Sequence, residues 1–162
     1  MTHTLRTRPL TPQEFTHYGD ILDASGTPDK IINRGLCGRF HDRARLDFGD
    51  GGRAGISVFK GEICSFPIPV ELVERHPEGS QAFIPLSQNP FLVVVAPDND
   101  GTPGAPMAFL TAPGQAINFH RGIWHGVFSP LAEPGLFAVV DRIGNTPNLE
   151  EYWYKTPYVV KD

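Results

Sequence analysis

Turn-forming residues divide this chain into short segments along its whole length. Of its 162 residues, 17 are glycine and 16 are proline, about one residue in five. Both types interrupt helices and occupy turns, so their even spread favours many short strands over a few long helices. The apolar runs between the turns predict strands at 55–59, 70–76, 81–86, 91–96, 107–111, 115–119 and 136–141. The predicted fold class is all-β, with strands that close into a small barrel.

The composition indicates one domain over residues 1–162. Hydrophobic residues make up 40% of the chain, enough for a single core. The formal net charge of -4 predicts neither a nucleic acid nor an anionic membrane as partner. The N-terminal segment lacks the apolar stretch of a secretory signal, and no run approaches the ~20 apolar residues of a membrane-spanning helix. We therefore expect a cytoplasmic protein.

One helix start is marked near the N-terminus. Thr11 is a capping residue, Pro12 suits the first helical position and Glu14 the third. Gly19 follows as a residue that ends a helix. These signals predict a short helix that packs across the barrel.

Other segments carry weaker predictions. Residues 97–106 are rich in turn residues and predict an irregular surface connection. The aromatic and apolar tail at 152–160 predicts a segment that covers the barrel or contacts a second subunit. Cys37 and Cys64 lack the spacing of a metal or redox motif, and we expect two reduced, mostly buried thiols.

One group of candidate site residues lies on the predicted strand 70–76 and just after it. Because side chains alternate along a strand, Leu72, Glu74 and His76 share one face, and Arg75 points to the other. A turn at 76–80 then returns the chain to Gln81, which opens the next strand close to His76.

A second polar stretch lies near residue 120. Asn118 and His120 share a face at the same period, and the turn at Arg121-Gly122 redirects the chain so that His125 points back inside. We expect Glu74, His76, Gln81, His120 and His125 to converge as a polar floor in an apolar barrel.

The two stretches together resemble the paired motifs of the cupins, His-x-His-x4-Glu and Gly-x5-Pro-x-Gly-x2-His. The corresponding positions hold Glu74, His76, Gln81, Gly114, His120, Gly122 and His125. The spacing is kept, but Glu74, Gln81 and His120 replace a histidine, a glutamate and a proline. The resemblance implies a cupin-type, jelly-roll-like small β-barrel with a few short peripheral helices.

Longer sequence segments resemble one family of the cupins, the ureidoglycolate lyases. These segments are Glu74-Arg75-His76-Pro77, residues 81–85, His120-Arg121 and Trp124-His125. Weaker similarity extends over about the whole chain. The resemblance implies cleavage of ureidoglycolate to glyoxylate and urea in allantoin and purine catabolism. It also implies a homodimer and nickel as the metal.

That reaction needs a base for the substrate hydroxyl, an acid for the departing nitrogen and a cation for the carboxylate. His120 is the first candidate for proton transfer and Glu74 the second, and the sequence does not divide the acid and base roles between them. We expect His120→Ala to lower turnover much more than stability. The carboxylate is expected to bind Arg142 or Arg121, with Asn118 beside it.

A divalent metal would be held by His76, Gln81, His125 and Glu74, a set that suits nickel, zinc, iron or manganese. Because a neutral glutamine is a weaker ligand than glutamate, a metal-free site remains an alternative.

Two other functions stay open, namely another cupin enzyme that acts on a small 2-hydroxy acid and a non-catalytic module that binds small acids.

Overall fold

The computed structural model describes residues 3–162, which are built almost entirely of β-strands. This part of the chain contains one α-helix, one 3-10 turn at Asn33–Gly35 and sixteen strands. The elements are β1 (His3–Pro9), α1 (Pro12–Phe15), β2 (Gly19–Leu22), β3 (Lys30–Ile32), β4 (Cys37–Arg39), β5 (Arg53–Lys60), β6 (Ile68–Arg75), β7 (Gln81–Pro85), β8 (Phe91–Ala96), β9 (Asp98–Asn99), β10 (Thr102–Pro103), β11 (Met107–Leu110), β12 (Ala116–Phe119), β13 (Trp124–His125), β14 (Ser129–Pro130), β15 (Leu136–Ile143) and β16 (Glu150–Lys161). The all-β prediction is confirmed.

Six strands form a closed ring within residues 3–162. In the order β11, β1, β16, β6, β13 and β8, each strand is hydrogen-bonded to the next, and β8 pairs back with β11. All six contribute apolar side chains to one cluster that fills the ring, among them Leu5, Val73, Val94, Ala108, Trp124 and Val160. The predicted small barrel is thus confirmed, and Trp124 packs inside it.

A five-stranded sheet packs against the outside of this barrel. Its order is β2, β12, β7, β15 and β5. The second apolar cluster joins Val93 and Val95 of β8 to Phe83, Ile117 and Val139 of the sheet. Every residue of β8 is buried, because one face of this strand lies in the barrel and the other faces the sheet. The space between barrel and sheet is therefore a second core, separate from the barrel interior.

The first and last strands, β1 and β16, are part of the barrel wall. His3 of β1 pairs in parallel with Tyr158 of β16, and Thr7 pairs with Ala108 of β11. Val160 is fully buried. The apolar tail thus forms a wall strand of the barrel, which accounts for its aromatic composition.

Three local expectations need correction. Thr11 precedes the helix, but its side chain makes no capping hydrogen bond. The connection at 97–106 contains the short hairpin of β9 and β10, so it is less irregular than its turn residues suggest. Cys37 is exposed and Cys64 half-buried, because Cys37 lies on the outlying hairpin of β3 and β4. Within the described residues both thiols are free, as predicted.

No helix in residues 3–162 has both the length and the apolar character that crossing a membrane requires.

Candidate active site

The pairing of β13 with its neighbours determines where His125 points. On β13, Trp124 pairs with Ala96 and belongs to the barrel core, whereas His125 pairs with Val95, which belongs to the core between barrel and sheet. On its other side His125 pairs with Glu74 of β6. Because paired residues project to the same face, His125 and Glu74 both face the five-stranded sheet.

The sheet presents polar groups to the same space. Asp141 of β15 pairs with Gln81 of β7, and Gln81 pairs with Phe119 of β12. These three side chains share the face that carries the apolar residues Phe83 and Val139. The expected polar floor therefore lies between the barrel and the sheet, rather than inside the closed barrel.

Three predicted metal ligands are brought together there. Glu74, His76 and His125 each contribute one ligand atom, and these three atoms lie within 4.8 Å of one another. With metal–ligand distances of about 2.0–2.2 Å, two ligands on opposite sides of an ion are about 4.4 Å apart. The cluster needs only a small contraction to hold one divalent ion. Oε1 of Gln81 lies 3.1 Å from Nε2 of His76 and supplies a fourth donor at its edge.

His125 is held by its backbone and by an aromatic ring. Its side chain is almost fully buried, and its ring stacks on Phe119 at a centroid separation of 4.2 Å and an interplanar angle of 5°. Nδ1 donates to the carbonyl oxygen of Gly126 at 3.0 Å. Nε2 is therefore left with a free lone pair, and it is buried without a hydrogen-bond partner among residues 3–162. Burial, opposed by the Gly126 contact and reinforced by nearby His76, lowers the pKa of His125 to about 3.

His76 takes part in a chain of polar contacts that runs into the sheet. Its Nδ1 donates to the carbonyl oxygen of Asn148 at 2.7 Å, and its Nε2 faces Oε1 of Gln81. The amide nitrogen of Gln81 in turn donates to Oδ2 of Asp141 at 3.1 Å. Both ring nitrogens of His76 thus face acceptor oxygens.

Glu74 is the acidic member of the cluster. Burial raises its pKa, although His76 opposes the shift, and Glu151 across the strand pair adds to it. A carboxylate whose proton affinity is raised in this way is a better proton acceptor than an exposed one.

His120 and Asn118 do not join this cluster. Asn118 pairs with Asp20 of β2, on the face of the sheet opposite Phe119 and Gln81. The two predicted residues do share a face, as expected, but it is the outer face. The expected convergence of His120 with the other four residues is therefore not observed.

The outer polar group is centred on Asp20. Its carboxylate accepts from the Asn118 amide at 3.0 Å and from the backbone N–H of Arg45 at 2.8 Å. Nε2 of His120 lies 3.0 Å from Oδ1 of Asp20, within ion-pair distance but without the alignment of a hydrogen bond. Burial raises the pKa of Asp20, but the hydrogen bonds from Asn118 and Arg45 outweigh it, so the pKa is lowered. Asp20 also borders an open groove that includes Arg43.

The arginines predicted to bind a carboxylate lie outside the inner cluster. Arg142 follows Asp141 on β15 and faces the other way, where it is buried and donates to the carbonyl oxygens of Phe48 and Asp50 at 2.8 and 3.2 Å. Arg121 is partly exposed and donates to the carbonyl oxygen of Pro77.

Arg75 also points away from Glu74, as predicted. Its guanidinium stacks over Trp124 at 4.3 Å and bonds to Glu150 and Asp98. This arrangement supports β13 from the side opposite the cluster.

Three residues of the two polar groups were missed by the sequence analysis. Asp141 continues the period-2 pattern of Phe137 and Val139, and this signal places it on their buried face. Asp20 and Asn148 lie far along the chain from the residues they contact, so no local pattern marks them.

Comparisons with known proteins identify the family of this chain. The family model described as ureidoglycolate lyase matches residues 2–161. A Rhodobacter capsulatus protein named "Ureidoglycolate lyase" is 55% identical over 157 residues, which cover 97% of this chain and 98% of that protein. A Rhizobium meliloti protein named "Ureidoglycolate lyase 2" is 48% identical over 155 residues, 95% of each chain. A Brucella melitensis protein named "Ureidoglycolate lyase" is 45% identical, covering 93% of this chain and 90% of its own. The chain belongs to the ureidoglycolate lyase family.

Proposed function

We propose that this chain cleaves ureidoglycolate to glyoxylate and urea at the inner cluster of Glu74, His76, Gln81 and His125. Membership of the family makes it a carbon–nitrogen lyase of allantoin and purine catabolism. The observation that carries the choice of site is the convergence within 4.8 Å of three ligand atoms, one each from Glu74, His76 and His125. The buried Nε2 of His125 has no hydrogen-bond partner among residues 3–162. A buried donor set of this kind is costly unless it binds something.

The reaction moves one proton off the substrate and one onto it. Loss of the hydroxyl proton lets the oxygen form a carbonyl, the carbon–nitrogen bond breaks, and its electron pair goes to the ureido nitrogen, which takes up a proton to give urea. Glu74 is our choice for the group that accepts the hydroxyl proton when it is not bound to the metal, because burial raises its pKa and makes it a better base than an exposed carboxylate. His125 remains neutral and presents only an acceptor to the cluster.

The hydrogen bonds around His76 support a cation in the cluster. The proton on Nδ1 is committed to the carbonyl oxygen of Asn148, and a neutral imidazole has only one N–H. Nε2 nevertheless faces Oε1 of Gln81, which is also an acceptor. Two facing lone pairs are stable only with a proton or a metal ion between them.

A divalent metal fits the ligand set of His76, His125, Glu74 and Gln81, and nickel is the first ion to test. Imidazole nitrogen and carboxylate oxygen suit nickel as well as zinc, iron or manganese. Bound there, the ion would supply Lewis-acid polarisation of the substrate hydroxyl. The residues would hold it between the barrel and the sheet, where Phe119 restricts the orientation of His125.

His120 is the second candidate for proton transfer. Its pairing with Asp20 would orient the imidazole as an acid or base, and Asp20 itself borders an open groove. Arg121, Arg142 and Asn118 remain candidates for binding the substrate. In this structure the guanidinium of Arg142 bonds to loop carbonyls, which favours a structural role for that residue.

We further propose a cytosolic homodimer. Two free thiols suit a reducing compartment. Ile56 and Val58 on β5 are 76% and 66% exposed, and these apolar side chains on an edge strand suit contact with a second copy.

The activity is tested with purified protein and racemic ureidoglycolate, following urea, glyoxylate and ammonia against the uncatalysed decay. Equal amounts of urea and glyoxylate without ammonia are expected. Release of ammonia in place of urea would refute the lyase assignment in favour of another reaction of the same scaffold. Saturable binding without turnover would favour the non-catalytic module. Parallel samples with chelator and with added nickel test the metal requirement.

A further inference from the structure

Gln81 lies between His76 and Asp141, whose side chains offer different hydrogen-bonding groups. Its side chain is buried, with one end 3.1 Å from Nε2 of His76 and the other 3.1 Å from Oδ2 of Asp141. The oxygen and nitrogen of a carboxamide have nearly the same shape, so packing alone does not decide which end faces the cluster. The hydrogen-bonding groups of the neighbouring residues determine the orientation of the carboxamide.

Asp141 determines the orientation of the Gln81 carboxamide. A carboxylate offers only acceptors, so the amide nitrogen of Gln81 has to face it and the amide oxygen has to face His76. We infer that Asp141 is a positioning residue, which holds the Gln81 carboxamide with its oxygen toward the inner cluster and so makes position 81 an oxygen ligand. This inference rests on the proposed metal site.

The same contact explains why a glutamine is compatible with position 81. A glutamate there would place a second carboxylate about 3.1 Å from Asp141, where two like charges repel. The amide avoids that repulsion and still offers one oxygen to the cluster. Position 81 and position 141 therefore act as a pair.

The test measures the dissociation constant of Ni²⁺ by titration calorimetry, with the absorption spectrum of bound Co²⁺ as a second signature. Removal of a group that orients a metal ligand typically costs about 10- to 100-fold in affinity. We expect that loss for Asp141→Ala and for Gln81→Ala. Because Asp141 acts through Gln81, the double variant should bind Ni²⁺ within about 2-fold of Gln81→Ala. Asp141→Asn retains an acceptor oxygen and should bind within about 3-fold of wild type.

Two controls separate the possible outcomes. Glu71→Ala removes a carboxylate that is exposed on β6, and it should leave affinity unchanged. If Asp141→Ala matches Glu71→Ala, or if its effect multiplies with that of Gln81→Ala, the positioning role is refuted while the metal site stands. If His125→Ala binds Ni²⁺ as wild type does, the proposed metal site fails and this inference fails with it. Should Asp141→Ala not fold, Asp141→Val carries the same expectation, since valine suits a strand and has no acceptor.

Discussion

Acidification should destabilise the metal-free protein through His125. Burial is the main reason that its pKa is lowered to about 3, against an ordinary value of 6.5. Between these two values the unfolded chain binds a proton that the folded chain excludes. Protons therefore favour the unfolded state, and the stability contributed by a neutral His125 is fully present above pH 6.5 and is lost as the pH falls toward 3.

The size of the effect follows from the two pKa values. At pH 5 the unfolded imidazole is almost fully protonated while the folded one is neutral, which costs about 2 kcal/mol relative to pH 7.5. The figure depends little on the folded-state pKa, provided that this value lies well below 5. It is a large part of the stability of an ordinary domain.

The assay is urea unfolding of demetallated protein at pH 7.5 and pH 5, with His125→Phe as the comparison. Phenylalanine preserves an aromatic ring beside Phe119 and does not titrate. Groups that do not interact with His125 affect both proteins alike, so the difference between their pH dependences reports His125 together with its coupling to His76. Wild type should lose about 2 kcal/mol more than His125→Phe on acidification. Parallel losses in the two proteins would refute the claim that His125 is buried and neutral.

Two further substitutions test the supports of the site. Arg75→Met should lower the free energy of unfolding by about 1 kcal/mol, since it removes partly exposed ion pairs and a cation–π contact with Trp124; an unchanged urea midpoint would contradict this. Arg142→Met should cost about 2–4 kcal/mol, because it leaves the carbonyl oxygens of Phe48 and Asp50 without a buried donor. A rise in KM at unchanged stability would instead show that Arg142 binds the substrate carboxylate.

Alternation along single strands could be predicted from the sequence, and it placed Glu74 and His76 on one face and Arg75 on the other. The face taken by His120 was also predictable in principle. Ile117 and Phe119 are the apolar residues of that strand, so Asn118 and His120 between and after them belong to the opposite face. The motif spacing predicted that His120 would join the other four residues, whereas the strand alternation predicted the opposite face.

Long-range pairing was not predictable by the same means. The barrel closes when β1 pairs in parallel with β16, about the whole length of the chain apart. The ring of six strands encloses one core and leaves the polar cluster in another, between His125 on the barrel and Asp141 on the sheet. No local pattern distinguishes a strand face inside the barrel from one that faces the second sheet, since both are apolar.

The most direct test of the central claim is the turnover number of Glu74→Gln for urea release, measured beside Glu71→Gln and His120→Gln. Glutamine keeps the shape of Glu74 but cannot take up the proton, whereas Glu71 is exposed on the same strand and serves as the matched control. If the inner cluster is the reaction centre, Glu74→Gln lowers kcat by at least about 100-fold and Glu71→Gln leaves it unchanged. Wild-type turnover in Glu74→Gln, together with an inactive but folded His120→Gln, would contradict the account and move the chemistry to the outer face beside Asp20.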